Sequence, residues 1–414
     1  MYYLCTSITN NKIYNMGMIK SILENDLYKF SQTFYYQMLY PEATGTFTFK
    51  DRNNLVYDNG YLTALKNEFK NLESLALTDD ECEWAITNIP FIPRHYWEWL
   101  KTFRFDSKKI NAWLDEESHL HIEVSDIIYK VSMYEIPILA IVSELYYKYN
   151  NILLTDFDYQ VFTPLKKNCD IAMANGFNFM EFGMRRRYSH DVEDAICQYL
   201  SENCPNCVGT STVYFAKKYN MKALGTQAHE IHQFTAAVTS PRESNYIVME
   251  NWSKVYDGNL GTVLTDTYTV DEFLRQFSRK LAKLFDGVRH DSGCPYEFGE
   301  KIIKKYELYG IDPTRKTVVF SDALTFEKCA DLKKHFNGRI KVSFGIGTNV
   351  TNNLSDVDTG VRIKPLNIVC KLTSCQMNPR QPIRKCVKLS DVRGKENGDP
   401  NEVKLYRQML GLDD

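Results

Sequence analysis

Three segments late in the chain decide the fold: FDGVRHDSG (285–293), KTVVFSDAL (316–324) and IKVSFGIGT (340–348). Each is a short apolar run that stops abruptly in Gly, Ser, Thr or Asp. Stretches of helical composition separate them. Short apolar runs bounded by turn residues fit buried strands. Their alternation with helices favours a parallel sheet with helical crossovers. Toward lower numbers the pattern recurs in FNFMEFG (177–183), CVGTS (207–211), MKALGT (221–226) and LGTVLTDTY (260–268), which makes seven units. In a β/α barrel the C-terminal strand ends converge on one face, where an active site is built. An open doubly wound sheet is the alternative that periodicity leaves open.

The flanking segments follow other rules. From Met18, residues Ile22, Leu27, Phe30, Phe34 and Met38 or Leu39 fall near helical spacing, and Pro41 ends the run. TGTFTFKDRN (44–53) alternates Thr with Phe and reads as a strand. Residues 60–120 are mostly helical in pattern. HIEVSDII (121–128) and MYEIPILAI (133–141) look like strands leading into a helix through Glu144. After residue 365, LNIVCKLTSCQ and IRKCVKLSDV read as two strands joined by a turn, free to pair with the N-terminal sheet. The expected organisation is an N-terminal extension (1–17) and a discontinuous α+β domain (18–150 with 366–414). An irregular β/α barrel (151–365) completes the α/β chain.

Composition narrows the function. The chain has 414 residues, enough for two or three domains and a core that needs no staples. Fifty Lys and Arg against 52 Asp and Glu leave a net charge of −2, so no global basic excess points to nucleic acid or an anionic membrane. The longest apolar candidate, 136–142, is far short of a membrane span. The polar, Asn-rich start lacks the basic-then-apolar pattern of a secretory signal. Eleven cysteines, an odd and mostly scattered set, are expected as reduced thiols of a cytoplasmic protein.

Several residues could carry chemistry. The Gly-rich FGIGTN (344–349) follows an apolar strand, where small residues let backbone N–H groups approach an anion. Arg185, Arg186 and Arg187 cannot all face one site; a solvated basic turn is the plain reading, with at least one meeting an anionic ligand if the strand ends there. Arg289 and Asp291, two apart, share a face of an extended strand, and SDAL repeats the theme with Ser321 and Asp322. In GTQAHEIH the His229–His232 spacing is not that of a zinc protease. A neutral His229 at a strand end could instead attack a phosphoryl group. Cys204 and Cys207 form a single CxxC, with Cys197 and His190 nearby, too few ligands for an expected zinc site.

Taken in order, ENDLYKF (24–30), FTFKDRN, EFGMRRRYS, GTSTVYFA (209–216), GTQAHE, LTDTY, GVRHDSG, FSDAL, IKVSFGIGTN and LNIVCKL resemble the blocks of nicotinate phosphoribosyltransferases. The resemblance spans the chain from residue 18 to near its end. It implies an irregular type II phosphoribosyltransferase barrel joined to a sheet domain built from both chain ends. It also implies a reaction. Nicotinate attacks the anomeric carbon of phosphoribosyl pyrophosphate, giving nicotinate mononucleotide and pyrophosphate. ATP hydrolysis is coupled, Mg²⁺ is required, and the product enters NAD salvage.

By the same resemblance, His229 is the histidine that ATP phosphorylates. Tyr28 and Phe182 sandwich the pyridine, and Arg289, with Thr226 beside it, meets the carboxylate. Asp291 contacts a ribose hydroxyl. Arg185, Gly345, Gly347 and Thr348 bind phosphate, and Ser321 joins the substrate site. No dedicated protein metal site is expected, since Mg²⁺ binds largely through substrate phosphates. A homodimer is implied. Cys294 stands where the family usually has Asp, Gln227 where it has an apolar residue and Ala323 where it has Gly. Nicotinamide phosphoribosyltransferases, the nearest rival, usually carry Asp in the block matching 209–212. Ser211 lacks that charge and favours nicotinate. The remaining alternative is a non-catalytic barrel scaffold.

Overall fold

A computed structural model describes residues 17–357, 359–392 and 396–412. The extension expected over residues 1–17 lies outside them, apart from its last residue.

An antiparallel sheet joins the two chain ends. Its strands are β1 (Thr44–Asp51), β2 (Ile110–Leu114), β3 (Leu120–Ile127), β10 (Ile368–Gln376) and β11 (Arg384–Lys385), in the order β11-β10-β1-β3-β2. The central strand β1 pairs Phe47 with Leu372 on one side and with Val124 on the other. Its Thr/Phe alternation buries Gly45, Phe47 and Phe49. Gly45 is a steric requirement: a Cβ there would overlap Ile128 Cδ1 and lie 2.9 Å from Leu372 Cδ1. Two expectations change here. β2 falls in a region read as helical. MYEIPILAI is not a strand but opens the Glu135–Tyr149 helix, in which residues 136–143 are all buried. A helix apolar on every side belongs in a core, and among the described residues no helix is long and apolar enough to cross a membrane.

The second sheet is parallel: β4 (Phe179–Glu181), β5 (Cys207–Thr210), β6 (Thr262–Leu264), β7 (Gly287–His290), β8 (Thr317–Phe320) and β9 (Lys341–Ile346), ordered β5-β4-β9-β8-β7-β6. Beyond β5, Thr210 bridges to Ala223 in parallel, which is all that remains of the strand expected over 221–226. Followed through Ala223 to β6, the chain passes once around a ring. The ring closes between the 223–227 segment and β6, where Leu264 N–H donates to the Gln227 side-chain oxygen at 3.4 Å. The barrel is therefore irregular, with a side-chain amide at the seam where a backbone ladder would otherwise run. Gln227, at a position usually apolar in the resembling family, has a structural task.

The helix Leu27–Leu39 threads between the two sheets, and residues 27–36 are all buried. The three arginines after β4 fan apart. Arg186 Nε donates to the Ile368 carbonyl at 3.0 Å, fixing the barrel to β10. Arg187 is fully buried, paired with Glu24, with Glu193 at 3.1 Å and with Glu144 at 3.4 Å. A solvated basic turn does not describe it. Burial would raise the Glu24 carboxyl, but Arg187 and His190 hold it down at about 2. Removing one partner of such a cluster leaves buried charges uncompensated. Arg187→Met is expected to lower the urea-unfolding free energy by about 3–5 kcal/mol. Arg94→Ala, which removes only exposed ion pairs, should leave the unfolding midpoint unchanged.

Candidate active site

All six parallel strands end on one face, so the residues that follow them meet. At the C-terminal end of β7, Arg289 Nη2 lies 3.9 Å from Asp291 Oδ2, as their two-residue spacing predicts. Arg289 Nη1 also donates to Thr226 Oγ1. After β8, Ser321 Oγ donates to Asp291 Oδ1 at 2.8 Å and lies 2.9 Å from the His290 carbonyl. Thr226, Arg289, Asp291 and Ser321, each singled out from sequence, thus form one connected patch.

His229 joins it. It is the first residue of the helix His229–Val238 and is 6% exposed. Its Nε2 lies 3.1 Å from Asp291 Oδ2 and its Nδ1 3.0 Å from Thr267 Oγ1. A third partner comes from the C-terminal segment: Lys388 Nζ is 2.9 Å from the same Nε2 and 3.5 Å from Asp266 Oδ2. Burial, then Lys388, pushes the imidazole down to about 4 against the pull of Asp266 and Asp291, so it is neutral near pH 7. Burial would raise the Asp291 carboxyl. Arg289 first, then His229 and Lys388, hold it well below the usual carboxylate range. His232, one turn on, is fully buried with Nδ1 3.0 Å from Asn245 Oδ1 and is no part of this patch.

Sequence reasoning placed no role on Lys388, Asp266 or Thr267. LTDTY was visible as a block, but nothing in IRKCVKLSDV marks one lysine as reaching the barrel; only Arg384–Lys385 is strand, and the irregular chain after it carries Lys388 inward. Ligand atoms of His229, Asp266 and Asp291 lie within 4.8 Å of one another, close enough for a small cation. The Lys388 ammonium already supplies positive charge there, and Asp266 also accepts from Ser292 Oγ at 2.7 Å. The donor set is only partly engaged: Asp266 Oδ1 is buried without a hydrogen-bond partner. Among the described residues no metal-binding cluster includes Cys204 or Cys207. Cys204 interacts with Cys169, and Cys207 Sγ lies 3.6 Å from the Gly209 carbonyl.

The N-terminal helix supplies the opposite wall. Leu27 N–H donates to the Ser211 carbonyl at 2.8 Å, and Ser211 Oγ donates to Asp26 Oδ1 at 2.6 Å. Those bonds bring Tyr28 against the barrel rim, where a Cβ on Gly225 would stand 2.9 Å from Tyr28 N. Arg185 interacts electrostatically with Tyr28, Asp26, Glu135 and Asp291, which places its guanidinium between the helix and the barrel. Across the rim, Phe182 N–H donates to the Ile346 carbonyl at 2.8 Å and sits over Gly345 and Gly347. The helix after FGIGT is a single turn, Thr348–Thr351. Any anion held there depends on backbone N–H groups and Thr348, with little help from a helix dipole. Cys294 is exposed, immediately before the helix Pro295–Leu308.

The model of the nicotinate phosphoribosyltransferase (NAPRTase) family matches residues 177–413, and that of the NAPRTase N-terminal domain matches residues 23–143. The chain belongs to the nicotinate phosphoribosyltransferase family. The nicotinate phosphoribosyltransferase of Methanosarcina acetivorans is 37% identical over 412 residues, covering 95% of this chain and 98% of that one. The crystal structure of the Porphyromonas gingivalis nicotinate phosphoribosyltransferase superposes with a TM-score of 0.92 at 41% identity, covering 95% of this chain and 100% of that one. The Vibrio cholerae structure gives 0.87 at 32%, with 96% and 95% covered.

The rim that carries Phe182 and Arg185 in this family member rests on a buried acid. Glu181 accepts from Thr210 Oγ1 at 2.5 Å and from Gly183 N–H. Burial raises its carboxyl from 4.5 to about 7, against those hydrogen bonds. The folded state therefore holds a proton that the unfolded chain releases near 4.5. The stabilisation from this group is complete below that pH and is lost as pH rises through about 7. Glu193 shifts in the same direction. Unfolding free energies measured from pH 4.5 to 8 should fall with pH more steeply in the parent than in Glu181→Gln.

Proposed function

We propose that this protein transfers the phosphoribosyl group of phosphoribosyl pyrophosphate to nicotinate, yielding nicotinate mononucleotide and pyrophosphate for NAD salvage, with ATP phosphorylating His229. One observation carries the reading. A buried, neutral histidine and a carboxylate are joined at 3.1 Å on the face where Arg289, Thr226 and Ser321 converge. Family membership supports it.

In this reading Tyr28 and Phe182 flank the pyridine from opposite walls, and Arg289, held by Thr226, meets the nicotinate carboxylate. Asp291 is kept ionised by Arg289. It holds a ribose hydroxyl and stabilises positive charge that builds on the ribose as pyrophosphate leaves. Ser321 keeps that carboxylate oriented. Arg185, Gly345, Gly347 and Thr348 take the phosphates. Mg²⁺ would be held largely through the pyrophosphate oxygens and would neutralise their charge.

The neutral imidazole is the form of His229 able to attack the γ-phosphorus of ATP, and the phosphorylated ring adds charge that reorders nearby cations. Nicotinamide remains as a second substrate reading on a specific ground. Ser211 lacks a charge, but its hydroxyl is spent on Asp26, so a carboxyl stands at that position after all. Burial raises the Asp26 carboxyl, while Arg185 lowers it. The cations Arg185 and Arg289 favour the acid over the amide.

Two measurements test this. Purified protein with phosphoribosyl pyrophosphate, with and without ATP, should form nicotinate mononucleotide in clear preference to the amide product. Equal catalytic efficiency on nicotinamide would contradict the assignment. Acid-labile label from γ-labelled ATP should disappear in His229→Ala and persist in His232→Ala; label that survives in the His229 variant refutes the acceptor.

A further inference from the structure

One atom of the site has two partners that exclude each other. His229 Nε2 lies 2.9 Å from the Lys388 ammonium and 3.1 Å from Asp291 Oδ2. A protonated Nε2 donates to the carboxylate and cannot accept from an ammonium. A bare Nε2 accepts from Lys388 and faces the carboxylate lone pair to lone pair. The ring is held neutral by burial, so each partner selects a different tautomer. The other nitrogen is indifferent: Thr267 Oγ1, 3.0 Å from Nδ1, can accept from an N–H or donate to a lone pair.

Lys388 has somewhere else to go. Its Nζ is 3.5 Å from Asp266 Oδ2, an oxygen that also accepts from Ser292, while the buried Asp266 Oδ1 has no hydrogen-bond partner. The backbone that carries Lys388 is irregular but fixed, by a bridge to Asn397, by Tyr268 Oη donating to the Val387 carbonyl at 3.0 Å and by the buried Val387 and Leu389, so any change of partner lies in the lysine side chain. A polyphosphate beside Arg289 and Arg185 would offer an ammonium a stronger partner than a neutral imidazole, since its oxygens carry full negative charge and add Coulomb attraction to the hydrogen bond.

We propose that Lys388 is a positioning residue that sets the tautomer of His229 according to whether the site holds a polyphosphate. With no anion bound, Lys388 holds the Nε2 lone pair and the proton lies on Nδ1. When a polyphosphate binds, Lys388 follows it, Nε2–H donates to Asp291, and the lone pair appears on Nδ1. One proton leaves Nδ1 to water and one reaches Nε2 from water, so the ring is neutral before and after. The carboxylate then supports the charge that grows on the ring as Nδ1 attacks phosphorus. The catalytic consequence rests on the reading of His229 as phosphoryl acceptor; the tautomer change itself does not.

The test uses full-length protein labelled with ¹⁵N in its histidine rings, with His229→Gln assigning the resonances. Ligand-free protein should show a bare Nε2 and a protonated Nδ1 on His229, and saturating inorganic pyrophosphate with Mg²⁺ should reverse the two. Lys388→Met should show a protonated Nε2 with or without pyrophosphate, while Lys388→Arg should keep the ligand-dependent reversal. A protonated Nε2 in the ligand-free parent overturns the proposal. So does an unchanged ring while calorimetry reports pyrophosphate binding, or an absence of such binding. If Lys388→Met does not fold, the parent titration alone decides. None of these readouts requires turnover, so loss of nicotinate activity and failure of the tautomer change are separately visible.

Discussion

The Lys29 ammonium is buried completely, and the rest of the structure depends on how its charge is met. It pairs with Glu135 at 2.5 Å and with Glu230, while Ser132 donates to Glu230 at 2.6 Å and Lys371 approaches Glu135 at 3.5 Å. An unpaired buried ion costs several kcal/mol, so the cluster is tolerated only when complete. Its charged members come from four places: the helix at Leu27–Leu39, the start of the Glu135–Tyr149 helix, the helix at His229–Val238, and β10. A buried ion network contributes more to placing these elements than to net stability. Lys29 follows Tyr28 and Glu230 follows His229, so the cluster sets the distance between the two walls of the site.

The face above this cluster is electrostatically mixed. Arg185, Arg289 and Lys388 meet Asp291 and Asp266, with Asp26 at the rim. The cations suit anionic substrates. The carboxylates keep the cations oriented, and the cations in turn keep Asp291 ionised. The barrel supplies the convergence, because parallel strands bring all their C-terminal ends to one side. The antiparallel sheet supplies closure, because β10 carries the chain on to Lys388. Neither sheet contains a whole site.

How much of this was legible depended on the range of the signal. Local punctuation at strand ends gave the parallel sheet, and the two-residue spacing of Arg289 and Asp291 gave their shared face. Family resemblance added Tyr28 and Phe182. Features set by distant partners were not readable. A strand ending in three arginines resembles a solvated turn until Glu24, Glu144 and Glu193 are seen around Arg187. MYEIPILAI looks like a strand, since a helix buried on all sides has no amphipathic period. MKALGT failed as a strand because the barrel closes there through Gln227. Lys388 was hidden for the same reason: its partners lie about 120 to 160 residues earlier in the chain.

The central claim is that one buried charge cluster sets the two halves of the site together. Lys29→Met tests it directly, with folding verified first by far-UV and near-UV circular dichroism. Nicotinate affinity by calorimetry and phosphoryl label on His229 are then measured in the same preparation. The account predicts that both fall together, because Tyr28 and His229 are held through Lys29 and Glu230. A folded variant that retains parental affinity and parental labelling would contradict it.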